Sequence, residues 1–543
     1  MALSSLLIQK MQELYLAILL HPFVFCLCLI SVLLFFICTK SPNGKAINLP
    51  PSPPRLPLIG NLHQLGAHLH RSLGALSDKY GPLMLLHLGQ VPTLVVSSAD
   101  MVREIVKSHD VVFSSRPKTV AADILLYGCK DLAFSPYGEY WKQVRKICVF
   151  ELLSPTRVQQ FQFVREDETV LLVDKIRQAC QTTNMAYTSS INLSEMFVIT
   201  SNNIISRCVL GQSLEEKEGR SRDVGGLLRS VMVYLMAFSV GDFFPPLRWI
   251  DGLRGFSGQL KATFRALDQF FDLVIEEHKA KILESDEGRI LPIAKDFLDI
   301  LLQLQKDAAL LGFGLTQNNV KGILLDMFLG GTSTTSAASE WIMSELIRNP
   351  RVMKKAQEEV RSVVEKKPKI DANDINQMDY LKCVIKETLR LHPPSPLLGP
   401  RETIDQSVEI GGYHIPGKTR VLFNAWAIQR DPSLWDKPEE FIPERFENKS
   451  IDYEGQDFEF IPFGVGRRGC PGLKFADTSI EYIIANLLYW FDWKLPGDSG
   501  HSMEDLDMSE IYGLSVHKKV PLHLIPIPFS PVPLHLIPIP FSP

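Results

Sequence analysis

The sequence predicts a mostly α body with a small β region, preceded by one N-terminal transmembrane helix. Long stretches carry apolar residues at helical spacing, while strand-like runs are few and short. Near the N-terminus, 26 consecutive residues (14–39) contain no Asp, Glu, Lys or Arg. Hydrophobic residues at 45% and charged residues at 22% exclude global disorder. The 57 basic against 61 acidic side chains leave a net charge of −4, which gives no case for nucleic acid as a partner. Nine cysteines without a CxxC pair support neither a zinc module nor a disulfide framework.

In chain order, residues 1–13 form a short N-terminus, expected to be lumenal, and 14–39 are the anchor. About 20 apolar residues span a bilayer core, so the anchor is long enough. Pro22 falls early and leaves Phe23 to Cys38 as its most apolar part. A cleaved signal peptide is the alternative, but the run is long and no small-residue cleavage site follows. Lys40, Lys45 and Arg55 follow the span, which places the body on the cytosolic side, with the endoplasmic reticulum as the expected membrane. Residues 40–59 contain Leu49-Pro50-Pro51-Ser52-Pro53-Pro54-Arg55, a stiff extended hinge that sets the body against membrane lipid. The body covers 60–531. VPLHLIPIPFSP ends at Pro531 and is repeated at 532–543, where the second copy reads as a dispensable tail.

By length, 543 residues suggest several domains of about 150 residues each, yet no linker divides Gly60 from Val520. Helices are expected over Ser98–Ser108, Phe161–Cys180, Gly258–Glu284, Gln317–Asn349, Tyr380–Leu391 and Leu473–Trp490. The fourth should be capped by Thr316 and stopped by Pro350. Strands are expected at Leu83–His87, Thr93–Val96 and Arg420–Phe423.

The most informative stretch is Pro462-Phe463-Gly464-Val465-Gly466-Arg467-Arg468-Gly469-Cys470-Pro471-Gly472. Its glycines permit tight turns and close approach to a flat ligand. Arg467 and Arg468 supply positive charge, and the helix N-terminus beyond Cys470 adds more, so thiolate is expected to be favoured over thiol. An anionic sulfur ligand for a metal suits this setting.

The stretch resembles the haem-binding loop of the cytochrome P-450 superfamily, Phe-x-x-Gly-x-Arg-x-Cys-x-Gly, through Phe463, Gly466, Arg468, Cys470 and Gly472. The resemblance implies that Cys470 is the axial thiolate of heme b (iron protoporphyrin IX), and that 60–531 is a haem-thiolate catalytic domain. Such a ligand pushes electron density towards oxygen. Arg468 is implied to contact a haem propionate, as are Trp141 and Arg145 of a Trp-x-x-x-Arg motif and Arg401. Glu387 and Arg390 match a Glu-x-x-Arg helix, and Arg445 of Pro443-Glu444-Arg445-Phe446 is expected to join them in a buried ion network. With Phe113-Ser114-Ser115-Arg116-Pro117 and Asn424-Ala425-Trp426-Ala427-Ile428, these motifs resemble the plant microsomal A-type clan.

Gly330-Gly331-Thr332-Ser333-Thr334-Thr335 is similar to the superfamily's oxygen-activation motif. Gly331 is expected to allow close approach of oxygen, and Thr334 to supply the proton-delivering hydroxyl. Ser333 departs from the pattern, which has a carboxylate there. Asp326 lies roughly 10 Å away along the axis, too far for direct substitution.

The resemblance implies an NADPH- and O2-dependent monooxygenase acting on a hydrophobic small molecule of terpenoid, phenylpropanoid or aldoxime type. Electrons would come from a separate NADPH–cytochrome reductase, with cytochrome b5 as a second donor. Leu125, Leu126, Phe238, Phe243, Phe244, Leu329, Leu397, Leu398 and Tyr512 are expected to face the substrate. Ser333 also leaves room for a non-oxygenating haem-thiolate enzyme that dehydrates or rearranges its substrate. A non-catalytic haem-binding membrane protein is the third reading.

Overall fold

The computed structural model describes residues 22–24, 26–32, 48–181, 190–213, 224–286, 295–307, 314–496 and 506–530. Of the anchor, 22–24 and 26–32 are helical, with Phe23, Val24, Leu27 and Ile30 exposed. The rest of 14–39 lies outside the described residues, as do 1–13 and the repeated tail 532–543.

The hinge is tied to the body. Pro51 accepts from the Leu85 amide at 2.9 Å, and Pro53 accepts from Asn61 Nδ2 at 3.3 Å. It leads into a four-stranded sheet. Leu83–Leu88 pairs antiparallel with Val91–Val96, which runs parallel to Arg420–Phe423, and Arg401–Glu402 closes the far edge. All three expected strands are in this sheet. The first copy of the C-terminal repeat supplies His523–Pro528, whose halves pair on opposite sides with Ile191–Asn192 and Phe491–Lys494. Each proline there has one paired flank only, so its missing N–H costs no ladder bond on the other.

The expected helices are Ala99–His109, Gln162–Gln181, Phe256–Asp286, Gln317–Arg348, Asp379–Leu391 and Leu473–Trp490. Thr316 caps the fourth by accepting from the Asn319 amide, and Asn319 answers its backbone N–H. That helix ends at Arg348, and Pro350 opens the next, Pro350–Val364, where its missing N–H costs nothing. From Thr335 to Ile347 every residue of the long helix is buried, as befits a central element. Helix Leu193–Leu210 packs along one side of it and Leu473–Trp490 along another.

Val224–Phe243 is the stretch among the described residues long and apolar enough to cross a membrane, with mean hydropathy 1.6. Its Leu228 and Val231 are in the main core, so one face already belongs to the body.

Candidate active site: a cysteine loop facing the long helix

The loop that carries Cys470 is bent by two left-handed glycines, Gly464 (φ 74°) and Gly466 (φ 63°). A Cβ on Gly466 would lie 2.7 Å from Asp110 Oδ1, so side chains are excluded by space as well as by φ. Asp110 also accepts from the Arg467 amide at 3.0 Å and so clamps the loop from outside. The Cys470 amide donates to Phe463 O at 2.8 Å, which closes the turn. Cys470 Sγ opens onto a cavity of about 340 Å³, whose opposite wall is the long helix at Met327, Gly330, Thr334 and Ala338.

Burial pushes the Cys470 thiol up, and the Gly472 N–H and the Arg145 charge oppose that only in part. The expectation that Arg467 and Arg468 favour thiolate is therefore corrected. Arg467 points outward to Asp110 (3.3 Å), and Arg468 donates to the carbonyls of Ser114, Leu132 (3.2 Å) and Ser135. A cation at the sulfur itself is what would make it a thiolate.

Arg116, Arg145 and Arg468 all line the cavity. Burial, then repulsion from Arg116 and Arg401, lowers Arg468 to about 8. Burial and Arg401 lower Arg116 to about 9. Buried cations this close are unfavourable without anions between them. One carboxylate, that of Asp131, is near enough to offset them in part. The donor set thus fits a flat ligand with carboxylates beside the arginines and a cationic centre over Cys470. A haem has that shape.

The sequence matches the cytochrome P450 family over residues 50–522. The chain belongs to the cytochrome P450 family. A phenylacetaldehyde oxime monooxygenase of Prunus mume is 56% identical over 93% of this chain and 94% of its own length. Cytochrome P450 71A1 of Persea americana is 52% identical over 86% of this chain and 91% of its own. Desmethylyatein synthase of Sinopodophyllum hexandrum is 46% identical over 92% and 98%. A zebra fish cytochrome P450, solved with abiraterone, superposes with TM-score 0.66 at 26% identity, covering 85% of this chain and 99% of its own. These relatives bear out the plant A-type resemblance, the fold and the haem-dependent monooxygenase class.

Within this P450 several expected contacts differ. Trp141 Nε1 donates to Leu132 O at 3.1 Å, so its N–H is committed to backbone, and its ring lies 4.2 Å beneath the Arg468 guanidinium. Trp141 thus positions Arg468. Arg401 does not line the cavity; it donates to Val465 O at 2.6 Å and lies 3.5 Å from Asp110, bracing the loop. Phe463 and Gly472 do line it. Arg116, quoted only as part of a motif, is the cavity cation that the sequence did not single out.

On the long helix, Gly330 faces open space, whereas a Cβ on Gly331 would meet Ile205 Cδ1 at 2.1 Å. Gly331 therefore shapes the wall by admitting Ile205. Thr334 Oγ1 donates to Gly330 O at 2.6 Å on the cavity side. Asp326 also lines the cavity, accepting from the amides of Leu132 and Ala133 (3.3 Å), and burial beside Asp131 raises it well above the carboxylate range. Among the expected substrate residues, only Leu329 and Leu398 line this cavity. Phe238 stacks on Phe243 at 5.2 Å, Tyr512 stacks on His70 at 5.7 Å, and Leu125 and Leu126 are in the main core.

The Glu387 network is fully assembled. Glu387 accepts from Arg390 Nε and Nη2 (2.8 and 2.9 Å), Arg445 Nε (3.0 Å) and the Ile442 amide (2.8 Å). Arg390 also holds the carbonyls of Gln429, Pro438 and Glu440 at 2.7–3.2 Å, tying the Pro-Glu-Arg-Phe segment to its helix.

Proposed function

We propose that the chain hydroxylates or otherwise oxygenates an aromatic aldoxime or a similarly sized hydrophobic small molecule. One observation carries the reading: a cysteine thiol faces the threonine of the long helix across an apolar cavity rimmed by buried arginines. Haem, when bound, supplies the activation of O2. Cys470 would hold the metal and Arg116, Arg145 and Arg468 the propionates, while Gly472 donates its N–H to the sulfur. Phe463 lines the cavity and its carbonyl takes the Cys470 N–H, while Gly466 and Arg401 hold the loop in shape. Thr334 would orient a proton donor on the cavity side of the long helix, and Leu329, Leu398 and Ile205 would exclude water from the substrate.

The relative named for phenylacetaldehyde oxime supports an aryl aldoxime as the first substrate to try. Electrons are supplied by an NADPH–cytochrome reductase, with cytochrome b5 as a second donor. They enter from the face behind Cys470, where a polar groove of about 410 Å³ is lined by Lys107, Arg145 and the cysteine loop. The anchor holds the protein in the endoplasmic reticulum membrane with the body in the cytosol.

The test is reconstitution of the full-length holoprotein with plant reductase, NADPH and ¹⁸O₂ on phenylacetaldehyde oxime. NADPH-dependent turnover of the probe is expected, with label from O₂ in the product or in the water released. Turnover that proceeds without NADPH and O2 would overturn the oxygenation reading in favour of dehydration or rearrangement.

A further inference from the structure

Ser333, which stands where the family pattern has a carboxylate, does not face the cavity. Its Oγ lies 3.0 Å from Nε2 of His517. His517 begins the short strand His517–Lys518, which pairs with Glu510–Ile511. Its other nitrogen, Nδ1, lies 3.6 Å from Oε2 of Glu340, in ion-pair range. Ser333 and Glu340 are seven residues apart on the long helix, two turns along one face, and the imidazole bridges the roughly 10 Å between them.

Everything around this imidazole fixes it in place. Glu340 is buried, its Oε1 accepts from the Ser194 hydroxyl, and its Oε2 accepts from the Lys518 amide at 3.1 Å. Trp341 Nε1 donates to Val516 O at 3.0 Å and pins the backbone just before His517. Among the charged neighbours, Lys518 turns its Nζ to Asp507 O and lies over the Trp341 ring. Glu510, opposite on the paired strand, is taken by His70 and Arg71. Glu340 is thus the charge that faces His517. The histidine side chain keeps 28% of its surface exposed, so it joins solvent to Ser333. On the inner side, Thr334 and Thr335 line the cavity, and the buried Thr335 Oγ1 has no hydrogen-bond partner among the described residues.

We propose that His517 is a positioning and proton-supplying residue that, through Ser333, takes over the part of the absent carboxylate. This rests on the monooxygenase reading above. In the relay, imidazolium passes its Nε2 proton to Ser333 Oγ. The serine hydroxyl passes its own hydrogen to a water on the Thr334–Thr335 side. One proton enters and one leaves, so Ser333 ends neutral. The imidazole is left neutral with its Nδ1–H towards Glu340, and Nε2 recovers a proton from solvent. Glu340 thus stands on the outer side of the histidine, against Nδ1, while Ser333 stands on the inner side, against Nε2.

The test has a spectroscopic and a kinetic arm. Full-length holoprotein with ¹³C-labelled histidine, in lipid nanodiscs and in its diamagnetic ferrous carbonyl form, is titrated by NMR. His517→Gln identifies the signal by its loss. A resonance whose chemical shifts change both in Glu340→Gln, through Nδ1, and in Ser333→Ala, through Nε2, is expected. A resonance that titrates identically in both variants overturns the relay.

In the kinetic arm, product and peroxide per NADPH are measured with phenylacetaldehyde oxime. His517→Gln keeps a donor of similar reach but carries no exchangeable charge. It should lower product per NADPH by at least about tenfold, a smaller loss than the roughly 10²–10⁴-fold that positioned proton transfer supplies. Ser333→Asp placed in the His517→Gln background should restore coupling, which repair of packing would not do. Parent-like coupling in His517→Gln overturns the proposal. If the parent itself shows no NADPH-dependent oxygenation, the monooxygenase reading fails instead, and the histidine titration still decides whether His517 is linked to Glu340 and Ser333.

Discussion

Glu387→Gln is the most exposing perturbation of this architecture. Glu387 and Arg390 are both wholly withdrawn from solvent, and the carboxylate accepts four N–H groups, three of them from two guanidinium groups. Removing its charge leaves Arg390 buried with three carbonyl partners and no anion. Breaking one side of a buried ion pair costs about 3–5 kcal/mol, and the amide retains an acceptor, so the lower end, about 3 kcal/mol, applies. At 1.4 kcal/mol per tenfold, that is roughly a hundredfold in an equilibrium or rate constant. Large chains unfold irreversibly, so the readout is the half-life of the haem-thiolate band at a fixed elevated temperature.

The same helix supplies its own control. Asp379 and Lys382 form an i,i+3 pair at 3.4 Å, with Asp379 88% exposed. Its loss in Lys382→Ala should cost less than about 1 kcal/mol and leave the half-life near that of the parent. Equal half-lives for Glu387→Gln and Lys382→Ala would refute the claim that burial makes the network structural.

Three further outcomes are expected. Gly466→Ala must hold a positive φ while its Cβ meets Asp110, so the haem-to-protein ratio on purification should fall; full haem content would show that the loop has slack. Burial pushes Glu510 up, but hydrogen bonds from His70 and Arg71 outweigh it and hold the carboxyl at about 2 against an ordinary 4.5. Its stabilising contribution is complete above about pH 4.5 and is lost as pH falls towards 2. Glu510→Gln should therefore flatten the acid side of the stability curve, and an unchanged acid limb would contradict it. Asn192 and Asn448 stand in glycosylation sequons, and the proposed cytosolic orientation of the body predicts that both stay unmodified. A deglycosylation shift traced to either would overturn the topology.

Local signals made most of the fold legible. The capping pair Thr316 and Asn319, the stop at Pro350 and the span Leu473–Trp490 are short-range choices of backbone chemistry, and sequence reports those directly. Cys470 was legible because a glycine-rich turn before a helix has few other uses. Arg467 and Arg468 misled because adjacency in sequence is not adjacency in space: the charge beside the sulfur is Arg145, from a helix more than 300 residues earlier. Trp141 and Arg401 were legible as neighbours of the loop, but their bonds to Leu132 O and Val465 O were not, since only packing shows which backbone acceptors lie within reach. His517 gave no signal at all. Its link to Ser333 crosses 184 residues and depends on how one strand edge lies against the long helix.

The central claim is that Cys470 is the metal-binding thiolate of the site. The direct measurement is the carbon monoxide difference spectrum of the reduced full-length holoprotein beside Cys470→Ala. The parent should show the Soret band characteristic of haem-thiolate proteins, and the variant should lose it while keeping the fold by circular dichroism. A folded Cys470→Ala protein that still shows the band would contradict the account.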